Sequence, residues 1–138
     1  MRSRFETFSA QETRALGRAL GETLKEGDIV ALTGELGAGK TVFAKGIAEG
    51  LGVADEVVSP TFTLQRTYTG NRTLHHFDLY RIEEEEELLH IGFFDTLGDG
   101  ICVVEWAERA EALPPCIRVR LSGTGPDPRA VEIEDTRA

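Results

Sequence analysis

The chain has 138 residues, a length that predicts one domain over residues 1–138. Its formal net charge of -9 and its pI of about 4.8 disfavour charge-driven binding to nucleic acid or to an anionic membrane. No segment approaches the ~18 apolar residues of a membrane span, and the first residues lack the apolar core of a signal peptide. The cysteines, Cys102 and Cys116, fit no metal-binding or redox spacing, so we expect a reduced, cytoplasmic setting.

Helix and strand signals alternate over the first third of the chain. Residues 9–12 have the form of a capping box, and leucines follow at four-residue spacing, which predicts a helix over residues 9–25 that Gly27 ends. The apolar run Ile29–Thr33 predicts a buried strand. A second helix is predicted over residues 40–51, where glycines end the pattern.

Between this strand and the second helix lies the sequence GELGAGKT, which matches G-x-x-x-x-G-K-[ST] at every defined position. Its glycines let the backbone N–H groups turn inward, and the following helix adds the positive end of its dipole, which together form an anion cradle. We expect Lys40 to reach the β- and γ-phosphates of a nucleotide and Thr41 to offer its hydroxyl to Mg²⁺. The predicted phosphate loop consists of Gly34, Glu35, Leu36, Gly37, Ala38, Gly39, Lys40 and Thr41.

The rest of the chain predicts an α/β fold with a central mixed β-sheet. Two strands, over residues 62–68 and 72–77, are separated by Gly70-Asn71 and predict an antiparallel hairpin. Because this hairpin interrupts a strict alternation of strands and helices, the sheet is expected to contain both parallel and antiparallel strands. The remaining predicted elements are a helix over 83–90, a buried strand over 101–106, a short helix over 107–112, and strands over 117–122 and 130–134.

Two acids stand where predicted strands end. Asp78 follows the second strand of the hairpin, and Glu105 follows the apolar residues 101–104. In an open α/β sheet, ligands bind beyond the carboxyl ends of the parallel strands, where both acids would lie. We favour Glu105 as the acid on the metal side and Asp78 as a second acid that orients water or the metal surroundings. The sequence does not fix this division of roles, and each acid can also be an ordinary strand-end carboxylate.

Several further residues allow either a functional or a structural interpretation. Thr61, in the loop before the hairpin, can sense the γ-phosphate or merely belong to a turn. His75 and His76 face opposite sides of a strand, and a structural role or support of the site is favoured over a metal site. The acidic run 83–87 can be a solvated helix face or a docking surface for a basic partner, and Trp106 can belong to the core or roof the site.

Four motifs, in this order and spacing, resemble the TsaE (YjeE) family. They are GELGAGKT at residues 34–41, SPTF at 59–62, HFDLYR at 76–81 and VEW at 104–106. HFDLYR and VEW are more specific than the phosphate loop, which many unrelated enzymes carry. The resemblance extends roughly from residue 9 to residue 121, whereas residues 123–138 match no motif.

This resemblance implies a P-loop NTPase-like three-layer fold and a small bacterial ATPase with ATP and Mg²⁺ as cofactors. TsaE proteins work with TsaB and TsaD in making threonylcarbamoyladenosine on tRNA beside the anticodon, and the tRNA is reached only through those partners. By this resemblance Lys40 and Thr41 carry the phosphate and Mg²⁺ contacts, Thr61 belongs to a switch-like loop, Asp78 to the second acidic motif, and Glu105 with Trp106 to the third. With the analysis of the strand ends, this leads us to expect catalytic roles for Lys40, Asp78 and Glu105 and Mg²⁺ contacts from Thr41, Glu105 and Asp78. The resemblance also places the segment around Thr13 beside the adenine.

Three functions remain in competition at this point. The first is an ATPase subunit, which would be slow alone because no arginine is clearly placed to stabilise the transition state. The second is a nucleotide-gated binding module without catalytic turnover, which would use the same residues. The third, a small-molecule kinase, needs an acceptor pocket and usually an arginine-rich lid that the sequence does not offer. No guanine-reading [NT]KxD motif follows the phosphate loop, which favours ATP.

Overall fold

The computed structural model describes residues 2–58, 65–110 and 113–137. Within these residues the strands are β1 (Arg2–Thr7), β2 (Ile29–Thr33), β3 (Gln65–Thr69), β4 (Thr73–Asp78), β5 (Ile101–Glu105), β6 (Ile117–Ser122) and β7 (Arg129–Asp135). The helices are α1 (Ala10–Gly21), α2 (Lys40–Gly50), α3 (Glu86–His90) and α4 (Phe93–Thr96), with a 3-10 turn at Ala107–Arg109. No helix in the described ranges combines the length and apolar content needed to cross a membrane.

The described strands form one mixed sheet in the order β1-β7-β6-β2-β5-β4-β3. The four central strands, β6, β2, β5 and β4, are parallel to one another. Antiparallel pairs complete both edges, with β3 on β4 at one side and β7 and β1 at the other. The expected α/β fold, the mixed sheet and the antiparallel hairpin are therefore confirmed.

Apolar side chains cover both faces of the sheet, which makes the fold three layers deep. On β2, Val30 and Leu32 point into a core under α1 and α2, whereas Ile29 and Ala31 point into a second core with α3 and α4. A strand that is buried on both faces is a continuous apolar run rather than an alternating one. For this reason Ile29–Thr33 is recognisable as a central strand from its sequence.

Glycines allow α1 and α2 to pack with their backbones in close contact. Gly17 and Gly21 on α1 face α2, and Gly46 and Gly50 on α2 face α1. A Cβ added at Gly46 would clash with the carbonyl oxygen of Arg14, and the other three glycines face backbone atoms in the same way. The glycine spacing of four residues on each helix therefore sets the position of α2, and with it the position of the phosphate loop.

Strand β1 and the end of α1 correct the sequence analysis. Strand β1 is not predicted, because its residues are mostly polar and it is held by backbone pairing with β7 at the sheet edge. Helix α1 ends at Gly21 rather than at residue 25. There the N–H of Glu22 bonds back to carbonyls of the last turn, and the Thr23 hydroxyl donates to the carbonyl of Leu20.

The acidic segment and the strand ends also differ from the predictions. Helix α3 begins at Glu86 rather than at residue 83, and in the segment before it the Glu87 carboxylate accepts the N–H groups of Glu83 and Glu84. Helix α4 is not predicted. Strand β5 ends at Glu105, and the predicted short helix is the 3-10 turn. The start of the first hairpin strand and the end of that short helix lie outside the described residues.

We predict that Gly46→Ala lowers the free energy of unfolding by about 1–3 kcal/mol, because the new methyl group overpacks the contact between α1 and α2. Helix propensity alone would change stability in the opposite direction by about 1 kcal/mol. Urea unfolding followed by circular dichroism measures the difference. The control is Ala15→Gly on the exposed face of α1, which measures propensity alone. A Gly46→Ala protein more stable than the wild type would contradict this account of the packing.

Candidate active site

The phosphate loop joins the end of β2 to the start of α2. Gly34, Gly37 and Gly39 have φ angles of 144°, 82° and 102°, all in the region that favours glycine. A Cβ on Gly34 would clash with the backbone carbonyl of Leu121 on β6. The glycines are therefore required by the backbone path, and the loop opens into the solvent at the carboxyl end of the central strands.

Lys40 is buried at the centre of this loop, with 5% of its surface exposed. Its Nζ donates to the carbonyl oxygens of Gly34, at 2.5 Å, and Glu35, at 2.9 Å, and it lies 3.9 Å from the centre of the Trp106 ring. Burial lowers the pKa of the Lys40 ammonium, and the nearby carboxylates, first among them Glu105, act against this shift. The carbonyl contacts are ones that phosphate oxygens can replace.

The two candidate acids lie side by side because β4 and β5 are parallel and in register. Asp78 pairs with Glu105 across the strands, and both carboxylates are buried, with 6% and 2% of their surfaces exposed. Thr41 Oγ1 donates to Glu105 Oε1 at 3.0 Å. Asp78 Oδ1 accepts the N–H of Tyr80 at 3.0 Å. The Glu105 carboxylate therefore contacts the end of the phosphate loop.

His76 holds the other oxygen of Glu105. Its Nε2 lies 2.6 Å from Glu105 Oε2, and because an ionised carboxylate only accepts, this nitrogen donates. The His76 ring is almost fully buried, and its Nδ1 has no hydrogen-bond partner among the described residues. His76 therefore fixes the orientation of Glu105 from inside the sheet. His75 points to the other side and pairs with Asp99 and Thr67.

The donor set at this end of the sheet fits Mg²⁺. Thr41, Glu105 and Asp78 present a hydroxyl and carboxylates, the hard oxygen ligands that Mg²⁺ prefers. No cluster of three His, Cys, Asp or Glu side chains able to bind a metal occurs in the described ranges. This is compatible with Mg²⁺ bound to a nucleotide, since the protein then supplies one or two ligands and phosphate and water supply the rest.

Trp106 belongs both to the core and to the site. It is in the left-handed region, with φ of 58°, directly after Glu105, and this turn brings its ring over Lys40. The ring of Tyr80 lies against it, with centroids 4.8 Å apart. Together with Leu36 these rings border a cavity of about 430 Å³ that contains Lys40, Thr41 and both acids, which we call the phosphate cavity.

A second cavity of about 340 Å³, which we call the N-terminal cavity, shares Gly37, Gly39 and Val42 with the phosphate cavity. Thr13 lines it from α1, where its hydroxyl is hydrogen-bonded to that of Thr7 at 2.6 Å. Several of the residues predicted for the site therefore line two neighbouring cavities. Thr61 and its loop lie outside the described residues.

Sequence reasoning missed three features of this region. These are the hydrogen bond from His76 to Glu105, the contact between Tyr80 and Trp106, and the side of the N-terminal cavity formed by residues 125–129. The first had a signal, because His76 and Asp78 are two residues apart on a strand and so share the face of Glu105. The other two depend on loops whose positions no spacing rule gives.

The model of the family described as "Threonylcarbamoyl adenosine biosynthesis protein TsaE" matches residues 7–131. The chain belongs to the TsaE family. A tRNA threonylcarbamoyladenosine biosynthesis protein TsaE from Treponema pallidum (strain Nichols) is 46% identical over 115 residues, covering 83% of this chain and 85% of that protein. The protein of the same name from Bacillus subtilis (strain 168) is 42% identical, covering 86% of this chain and 75% of that protein.

A solved structure supports the same assignment. The crystal structure of Bacillus subtilis YdiB superimposes with a TM-score of 0.80 at 34% sequence identity. The match covers 99% of this chain and 87% of that chain. The match to the TsaE family includes the phosphate loop, Asp78 and Glu105, and it leaves out the residues after 131. The membership of the TsaE family that the sequence motifs predict is thus confirmed.

We predict that His76→Leu lowers the free energy of unfolding by about 1–3 kcal/mol, because it removes a donor from the buried Glu105 carboxylate. The matched control is His75→Leu, whose partner Asp99 has a side chain that is 74% exposed, so the loss there should be about 0–1 kcal/mol. Chemical unfolding of the three proteins at pH 7 measures both differences. Equal losses in the two variants would mean that His76 does not hold Glu105 as described.

Proposed function

We propose that this TsaE protein binds and hydrolyses Mg-ATP as a subunit that serves threonylcarbamoyladenosine formation on tRNA together with TsaB and TsaD. The observation that carries the proposal is the arrangement of three side chains at the phosphate loop. Lys40 donates to a carbonyl of the loop, and Thr41 donates to the Glu105 carboxylate. A glycine loop that merely closes a turn needs neither a buried lysine nor a buried acid in contact with the following threonine. The pathway comes from the relatives, which are named as tRNA threonylcarbamoyladenosine biosynthesis proteins.

In this proposal the loop N–H groups and Lys40 bind the phosphates, and Thr41 and Glu105 hold the metal. Mg²⁺, when bound, neutralises charge that develops on the transferred phosphoryl group. Asp78, beside Glu105 but turned toward the N–H of Tyr80, orients the water that attacks the γ-phosphate. The products are ADP and inorganic phosphate. His76 keeps Glu105 in place and takes no part in the transfer.

Partners complete the site in this account. None of the described side chains that line the phosphate cavity is an arginine, so no residue there can stabilise transition-state charge as an arginine finger does. Hydrolysis by the chain alone should therefore be slow. The net charge of -9 supports contact with tRNA through TsaB and TsaD rather than directly. The proposed setting is the cytoplasm, where tRNA is modified.

The lack of an arginine among the described lining residues also favours a second candidate function. For this reason the nucleotide can serve as a switch without turnover, with ATP and ADP selecting different docking states. The two functions differ in whether turnover follows when the partners bind. Turnover in the presence of the partners is therefore the quantity to measure.

We predict that TsaB and TsaD stimulate Mg-ATP hydrolysis and that Lys40→Ala lowers the stimulated rate by about 100-fold or more, because it removes a charge aimed at the phosphates. Phosphate release is measured for the chain alone and with both partners. The matched control is Lys45→Ala, on the same helix but outside the cavity lining, which should keep the wild-type rate.

The other outcomes decide between the candidates. If the partners bind and hydrolysis stays at the Lys40→Ala background, the nucleotide-gated module is the function. If ATP is hydrolysed without any interaction with TsaB or TsaD, the proposed assembly is wrong. Loss of activity in Lys45→Ala as well would show that the Lys40 effect comes from the stability of α2.

A further inference from the structure

The sheet has one face, at its β1 edge, that no helix covers in the described part of the chain. Helices α3 and α4 pack against side chains of β2, β4 and β5, and the core formed there contains no described residue of β6, β7 or β1. The apolar side chains of β6 and β7, such as Val119 and Val131, point into the other core, under α1 and α2. Because successive side chains on a strand point to opposite faces, the residues between them lie on the open face.

Arginine and glutamate side chains occupy this open face. The register of the antiparallel pairs places them in two rows across the three strands, which together we call the arginine face. One row is Arg118, Glu134 and Arg2, and the other is Arg120, Glu132 and Arg4. Four guanidinium groups and two carboxylates give this face a net charge of +2, whereas the formal net charge of the chain is -9. The arginine face is therefore a basic patch on an acidic protein.

Ion pairs within the arginine face do not use up its positive charge. Arg2 donates from Nη2 to Glu134 Oε2 at 2.6 Å, but the Arg2 side chain is 70% exposed, and exposed ion pairs contribute little to stability. Arg4, Arg118 and Arg120 are exposed, and they form no ion pair within the ranges that the structure describes. Three guanidinium groups are thus free to bind a partner.

The arginine face extends to the strand that carries the phosphate loop. A cavity of about 280 Å³ lies on this face, and Thr33 of β2 lines it together with Arg118 and Arg120. Thr33 pairs with Arg120 in the register of β2 and β6, and Gly34 follows it directly. A molecule seated on the arginine face therefore contacts β2 one residue before the phosphate loop.

The pattern of charges favours a protein as the partner. Guanidinium groups bind carboxylates with two parallel hydrogen bonds, and arginine is enriched in protein interfaces. The phosphate backbone of RNA would instead bring negative charge against Glu132 and Glu134, which lie in the middle of the two rows, and the net charge of the chain repels it as well. A protein surface can place carboxylates opposite the arginines and leave the glutamates unopposed.

We propose that the arginine face is a docking surface for an acidic surface of a partner protein. The inference rests on the proposed function, which supplies the partner on which that acidic surface is sought, the TsaB–TsaD pair. The net negative charge of the rest of the chain repels an acidic partner and the arginine face attracts it, so the charge distribution selects one orientation of approach. The six residues of the face lie outside the four sequence motifs.

The association rate constant of this chain with the TsaB–TsaD pair, measured by stopped flow in Mg-ATP, tests the proposal. At about 50 mM NaCl the double variant Arg118→Glu/Arg120→Glu should associate about tenfold more slowly than the wild type. At about 500 mM NaCl the difference should shrink to about twofold, because salt screens the charges.

The matched control is Arg18→Glu/Lys25→Glu, which changes the net charge by the same amount at exposed positions on α1 and in the turn after it. It should associate at a rate within about twofold of the wild type, and both double variants should bind Mg-ATP as the wild type does. If the charge reversal unfolds the chain, Arg118→Ala/Arg120→Ala should still slow association by about threefold, with the same dependence on salt.

Each other outcome overturns the proposal in a different way. If the arginine variants associate as fast as the wild type, or if the control is slowed equally, the arginine face is not the docking surface, although the proposed function stands. If the chain alone binds tRNA at about 50 mM NaCl and Arg118→Glu/Arg120→Glu abolishes that binding, the face takes RNA phosphates instead. If the wild type hydrolyses Mg-ATP but does not bind the TsaB–TsaD pair, the proposed assembly fails, and the inference fails with it.

Discussion

The hydrogen bonds of the Glu105 carboxylate are the interactions on which the rest of the site depends. A carboxylate with 2% of its surface exposed is costly unless donors surround it, and this one accepts from Thr41 on α2 and from His76 on β4. Glu105 can meet both only because β5 lies between β2 and β4 and runs parallel to them. The sheet order thus brings the phosphate loop and the two acids to one edge.

The features fixed by short-range rules were predictable from the sequence. The phosphate loop needs glycines at positive φ, a strand before it and a helix after it, and all three are visible in residues 29–50. The apolar run Ile29–Thr33 predicted a buried strand, and the turn at Gly70-Asn71 predicted the hairpin. Both elements are present in the sheet. The family and the fold class are confirmed as well. The single domain and the roles of the site residues stay predictions.

The features fixed by tertiary contact were not predictable. Strand β1 is polar and exists through backbone pairing with β7, so its side chains carry no periodic signal. Helix α3 starts at Glu86, and the preceding Glu83 and Glu84 donate their N–H groups to the Glu87 carboxylate, a contact that the run of five glutamates does not reveal. Arg129 is one of many surface arginines in the sequence. Its contact with Gly37 depends on how a turn folds back over the sheet edge, which residue spacing does not reveal.

The most direct test of the central claim is a double-mutant cycle on Mg-ATP affinity with Thr41→Ala, Glu105→Gln and the double variant, repeated with ATP in the presence of EDTA. If both residues serve one ion at the phosphates, the losses are strongly non-additive with Mg²⁺ and the coupling disappears without it. Additive losses with Mg²⁺, or coupling of equal size without it, would contradict the account. Thr41 and Glu105 would then be neighbours that do not share a metal.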